Sequence, residues 1–170
     1  GTYPLPEAQL DRFLVQIDVD YPDRETERAI LLATTGSEDV GVSAIFTAEE
    51  LIAAQALIRR MPVGESVVGA ILDLVRACRP GGADADPSLS DSLSWGPGPR
   101  AAQALMLAVR ARALIAGRLA PSAEDVAALA RPVLTHRMAL SFAARARGED
   151  LGAIIDRVAG RVTGSTEAAA

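Results

Sequence analysis

Lysine and asparagine are absent from this 170-residue chain, histidine and cysteine each occur once, and aromatic residues make up 4%. Each shortage excludes something. Without lysine the chain cannot hold a complete Walker A phosphate loop, whose ammonium reaches the β- and γ-phosphates. The single histidine, His136, rules out a multi-histidine metal site. The single cysteine, Cys78, rules out an internal disulfide and a thiolate cluster. No run reaches the roughly 18 apolar residues of a membrane span, and no signal-peptide pattern opens the chain. A soluble, cytoplasmic protein with no membrane span is expected. The first residue is Gly1 rather than Met, so a piece of a longer protein is expected too.

Alanine and arginine fill the space, with 33 and 17 residues, and 49% of the chain is hydrophobic. The core must therefore be aliphatic. A chain of this length buries roughly 70% of its unfolded surface, enough to fold without metal or disulfide. It suits one domain, or one domain plus a fragment. The formal net charge of −5 and a pI near 4.9 make it a poor electrostatic partner for nucleic acid. The charge is uneven. Residues 1–95 hold 7 arginines against 16 acids, while residues 96–170 hold 10 against 6. Such asymmetry suits either a surface facing a charged ligand or a solvated Arg/Glu face.

Pro4 and Pro6 make the opening a loop, and Pro6–Asp11 spells one or two helical turns. Phe13, Val15, Ile17 and Val19 alternate with Leu14, Gln16, Asp18 and Asp20, the pattern of a half-buried strand. Helices are expected from Pro22 onward: Asp23 to about Thr34, Thr47 to about Met61, and one carrying Val67, Ile71, Leu74, Val75 and Cys78 on a single stripe. The second opens with a Thr47/Glu50 capping box. Pro80 to Trp95 has loop composition. A fourth helix starts at Pro99 and ends before Gly117; a fifth, 122–131, is capped by Ser122 and Asp125 and is kinked or stopped by Pro132. Val133–Ala146 continues as helix or as a tight pair of segments. Glu149–Val162 forms the last helix, and Thr163–Ala170 frays.

Two arginines stand out by context. Arg100 follows the stiff turn Trp95-Gly96-Pro97-Gly98-Pro99 and falls in the first turn of a helix. The macrodipole there favours anions, so a cation suggests a nearby anion such as a phosphate, or a surface carboxylate partner. Gly96–Ala101 formally fits a loose dinucleotide fingerprint. Its two prolines remove the needed amides and no strand precedes it, so that reading is rejected. Arg12 sits where the short helix ends, between Asp11 and Phe13. It suits either a guanidinium offered to another molecule's site or a plain ion pair with Asp11 or Glu7. His136 suits a structural hydrogen bond to a backbone carbonyl, and Cys78 suits the core.

The run Gly1–Phe13 resembles the segment after the sensor-1 strand of MoxR-type AAA+ ATPases. Ser94-Trp95-Gly96-Pro97-Gly98-Pro99-Arg100-Ala101 is similar to their sensor-2 motif. Gly117-Arg118, Ser122–Val126 and Val133-Leu134-Thr135-His136-Arg137 resemble their lid signature. The resemblance covers residues 1 to about 160. It implies a mainly α fold, a helical lid bundle preceded by a remnant strand of the α/β core. The implied division is 1–21 for the end of the core, 22–162 for the lid and 163–170 for a flexible tail.

By the same resemblance, Arg12 is an arginine finger acting in trans. Arg100 is the sensor-2 residue acting in cis, and Gly98, Pro99 and Arg100 border the nucleotide. Gly98 departs from the family's more frequent serine, which weakens the helix cap. The implied cofactor is ATP, with Mg²⁺ held by a core that would precede Gly1 along with Walker A, Walker B and sensor 1. The implied assembly is a ring, a hexamer, with chaperone-like maturation of protein complexes or cofactor and metal insertion. A von Willebrand A domain protein is the implied partner. The chain by itself is expected to lack ATPase activity. A non-enzymatic helical interaction module derived from the lid is the alternative, and a DNA-associated ring ATPase a third that the acidic balance disfavours.

Overall fold

The computed structural model describes residues 3, 5–36 and 41–168, and for 165–168 the backbone only. Gly1, Thr2 and Pro4 of the opening motif, and the last two residues of the tail, lie outside the described residues. Four helices make the body: α4 (Glu65–Ala77), α5 (Pro99–Ile115), α6 (Ala123–Leu134) and α8 (Leu151–Ala168). They pack on one another around Ile71, Leu74, Leu105, Val109, Val126, Leu134 and Ile155, all essentially fully buried. The shortage of aromatics is visible here as an all-aliphatic centre.

Local chemistry explains the boundaries. At the start of α6, Ser122 and Asp125 form a reciprocal capping box, which satisfies amides that a helix start leaves orphaned. At the end of α5, Gly117 adopts φ +71°. The Arg118 amide then donates to the Ala113 carbonyl at 2.8 Å and the Gly117 amide to Leu114 at 2.9 Å. This is a Schellman closure, and a left-handed residue is what it requires. The α3 helix (Ala48–Arg60) carries the expected Thr47/Glu50 box and packs on α5. The α2 helix (Arg24–Thr35) is capped by Asp23. Neither buries a residue, and Ile30, Leu31, Leu32, Leu51 and Ile52 remain exposed.

Several expectations are corrected. Phe13–Asp20 forms no strand: Phe13 and Leu14 lie in a bend and residues 15–20 are irregular. Alternation makes a strand only where a neighbouring edge offers a ladder. Here the Gln16 amide donates to the Pro132 carbonyl at 2.8 Å, Val15 packs partly on the core, and Ile17 and Val19 stay exposed. The remnant strand of the expected fold is thus an irregular arm on a mainly helical bundle. Among the described residues the sheet has two short antiparallel strands, β1 (Leu93–Trp95) and β2 (Ala139–Leu140). They fall where a loop, and a helix or a tight pair of segments, were expected, and are too short to leave a period-2 signal.

Pro132 does not stop α6, which runs on to Leu134. The carbonyls at that end find other donors: the Thr135 hydroxyl on Arg131, the Gln16 amide on Pro132, and the Arg137 guanidinium on Val133. Beyond it come a 3-10 turn (Thr135–Arg137), β2 and the short α7 (Phe142–Ala146). The last helix extends past Val162 to Ala168.

Candidate functional site

Arg12 follows α1 (Glu7–Leu10), a single turn whose side chains are not buried. Its backbone is fixed by local bonds, Arg12 N–H to Gln9 O and Phe13 N–H to Leu10 O, both 3.1 Å. Its side chain is exposed. The anticipated ion-pair partner, Asp11, is taken by another arginine: Arg137 Nε donates to Asp11 Oδ1 at 3.1 Å. Arg12 therefore has no side-chain hydrogen bond or salt bridge among the described residues.

Arg137 is the residue that inspection of the sequence undervalued. It is 2% exposed. Besides Asp11, it donates to the carbonyls of Val133 at 2.6 Å, Asp11 at 3.1 Å and Leu14 at 3.2 Å, and to that of Phe13. The Phe13 carbonyl also lies 3.1 Å from His136 Nε2. Two side chains of the 3-10 turn thus hold the backbone on both sides of Arg12 against the end of α6.

Electrostatics follow from the packing. Burial lowers the Arg137 pKa, Asp11 opposes that, and the positive charge of Arg100 adds to the lowering. Burial also lowers the His136 pKa, with the charge of Arg137 acting the same way. His136 is therefore neutral near pH 7, its Nε2–H given to Phe13, while Nδ1 is buried without a partner.

Arg100 occupies the first turn of α5, which opens with Pro99 and has no side-chain cap on Gly98. The turn before it is pinned from below. A Cβ on Gly96 would sit 2.2 Å from the Cys78 carbonyl, so only glycine allows this approach to the end of α4. Arg79 Nε donates to the Pro97 carbonyl at 2.9 Å. Gly98, by contrast, faces open space. Arg100 is exposed and has no side-chain hydrogen bond or salt bridge among the described residues. Its charge is nevertheless felt at Arg137, the residue that holds the Arg12 segment.

Arg100, with Gly98 and Pro99 leaving open space beside it, fits a phosphate, which a guanidinium binds with paired hydrogen bonds. Magnesium is different: no group of three His, Cys, Asp or Glu side chains among the described residues could hold a metal ion. No helix among them is long and apolar enough to cross a membrane.

Residues 89–158 match the family model of the AAA lid domain. The chain is 34% identical to the chaperone MoxR1 of Mycobacterium tuberculosis, over 93% of this chain and 42% of that protein. It is 32% identical to the protein MoxR of Paracoccus denitrificans, over 91% of this chain and 49% of that protein. A crystal structure of a candidate ATPase from Cytophaga hutchinsonii superposes with a TM-score of 0.81 at 29% identity, over 93% of this chain and 48% of that one. The chain thus spans about half the length of the curated relatives it matches.

Proposed function

The chain belongs to the MoxR family of AAA+ proteins, and on that premise we propose that it supplies the lid and the arginine finger of an ATP-hydrolysing ring. Residues 22–162 act as the lid, 1–21 close the nucleotide-binding core, and 163–170 form the tail. Arg100 contacts the terminal phosphate bound in its own subunit, beside Gly98 and Pro99. Arg12 reaches the phosphate bound in the next. ATP with Mg²⁺ supplies the phosphoryl group; the metal's ligands come from a part of the protein other than these residues.

The observation that carries this reading is a pair of exposed arginines, Arg12 and Arg100, each without a side-chain partner among the described residues and each on a backbone held by its neighbours. Rigidity matters because a donor aimed in advance at developing charge costs no reorganisation in the transition state. The ring is a hexamer, located in the cytoplasm. Its work is chaperone-like: maturation of protein complexes, including insertion of a cofactor or metal, with a von Willebrand A domain protein as partner.

Mixing subunits tests it. In the full-length protein an Arg12→Ala subunit keeps its own phosphate loop but cannot complete its neighbour's site. A subunit with an inactive phosphate loop keeps Arg12 but has no site to complete. Each pure ring is expected to be nearly inactive, and activity should return in mixtures. If subunits demonstrably exchange and no ratio restores hydrolysis, Arg12 is not a finger.

A further inference from the structure

A buried arginine is a poor way to fill a core. Desolvating a guanidinium is costly, and a well-packed apolar residue of similar volume often does better. Arg137 tolerates burial because each of its five N–H groups can be assigned an acceptor. Nε takes the Asp11 carboxylate, one terminal nitrogen takes the carbonyls of Val133 and Leu14, and the other takes those of Asp11 and Phe13. Four of these five acceptors belong to residues 11–14. The fifth, Val133, belongs to α6, whose packing on α5 and α8 makes it part of the lid.

From this arrangement we infer that Arg137 is a positioning residue for Arg12, tying the placement of the finger to the position of the lid. The inference rests on the reading of Arg12 as a finger. The backbone carbonyls immediately before and after the Arg12 side chain's own peptide unit are both held, by one rigid planar group. The side chain between them is left free to reach outward. The helix packed against α6 carries Arg100 in its first turn, so a lid that shifts when Arg100 meets a phosphate carries α6, Arg137 and the Arg12 backbone with it. One subunit's occupancy is thereby reported at its neighbour's site. Lysine cannot replace Arg137 here, since a point-like ammonium with three donors cannot span these acceptors.

The test uses the full-length ring with Arg137→Gln and Arg137→Lys. A displacement of about 1 Å at a reacting centre can cost ~10²-fold in rate, and a loss of this order in kcat is expected for both. The KM for ATP of the variant subunit should be unchanged, because its own site is intact. Mixed with phosphate-loop-inactive subunits, both variants should regain activity as Arg12→Ala does. A defect of folding or of the subunit's own site would not be restored in this way.

Two results separate the inference from the reading beneath it. If Arg12→Ala complements and the Arg137 variants do not, or if they keep wild-type kcat, the positioning role is overturned and the finger stands. If Arg12→Ala itself fails to complement, both fall. Should the Arg137 variants not assemble, Asp11→Asn decides. It keeps the four carbonyl contacts and loses one charge partner, so a smaller loss of kcat, restored in mixtures, is expected. Wild-type kcat in Asp11→Asn would then overturn the inference.

Discussion

Arg137 Nε lies 3.1 Å from Asp11 Oδ1, joining residues 126 positions apart. The pair closes the amino-terminal arm onto the far end of α6. An ion pair at the surface would contribute little. This one is different because Arg137 is almost wholly enclosed and would be left uncompensated without the arm.

His136 makes that closure sensitive to acid. Burial lowers its pKa from the ordinary 6.5, so the folded chain resists a proton that the unfolded chain accepts. Below 6.5 the unfolded state then binds more protons, and stability falls as pH falls toward the lowered folded value. Protonation would also place a second donor, Nδ1–H, where no acceptor waits, beside Arg137. Denaturant midpoints taken between about pH 8 and pH 5 should decline for the native chain. They should be flatter for His136→Gln, whose amide can still donate to Phe13. Parallel curves for the two proteins would contradict this account.

Gly96 and Gly98 sit two residues apart and should respond oppositely. Alanine at 96 would drive its Cβ to 2.2 Å from the Cys78 carbonyl and 3.0 Å from the Arg79 Cα. Neither atom belongs to a flexible side chain, so Gly96→Ala should cost about 3 kcal/mol, the upper part of the range for overpacking. At Gly98 nothing lies within 4 Å and the backbone already has N-cap geometry. Serine there can accept an orphaned amide of α5, and Gly98→Ser should stabilise by a few tenths of a kcal/mol. Chemical denaturation of the two variants measures both signs. Equal effects would mean that the turn is not pinned by Gly96.

Cys78 should behave as an apolar side chain. Burial pushes its thiol pKa up to about 11, against an ordinary 9.0, and the nearby Arg161 only partly offsets this. The thiolate is the reactive form, so the native protein should resist iodoacetamide at mildly alkaline pH and react after unfolding. Intact mass before and after denaturant decides it. Rapid native alkylation would place Cys78 outside the core.

What could be read from the sequence depended on how local the physics was. Both capping boxes, the Pro99 start and the Gly117 stop are written in residues three or four apart, and they appear where expected. The aliphatic stripe of α4 follows from period alone. Phe13–Asp20 carries a clean strand alternation, yet pairing is a property of a neighbour, and the segment finds a helix end instead. The buried role of Arg137 is hidden for a related reason. Periodicity ranks an arginine as a surface residue, and its five acceptors are all contributed by backbone or by a carboxylate 126 positions away. The sign that could have raised it is the helix end itself, whose last carbonyls have no partner within α6 and need donors from elsewhere.

Arg100 offers the sharpest test of the nucleotide reading. It is exposed, its neighbours on the turn are held by Gly96 and Arg79, and no hydrogen bond among the described residues depends on its side chain. Removing it should therefore leave the fold intact, and relieving the positive charge near Arg137 should if anything help stability. A guanidinium hydrogen-bonded to a phosphate contributes about 2 kcal/mol, since bonds to charged groups lie at roughly 1.5–3 kcal/mol. If that phosphate is the terminal one, the loss falls on ATP and spares ADP. In the full-length protein Arg100→Ala should weaken ATP binding by ~30-fold, the fold-change equivalent to about 2 kcal/mol, with ADP affinity nearly unchanged. Turnover at saturating ATP should fall as well, because the same charge develops further in the transition state. Arg100→Lys should recover part of the affinity as a point charge without the paired geometry. Calorimetry with ATP and ADP, run beside a hydrolysis assay, reads all three quantities. Equal losses for the two nucleotides would move Arg100 to an inner phosphate, and no loss for either would remove it from the site.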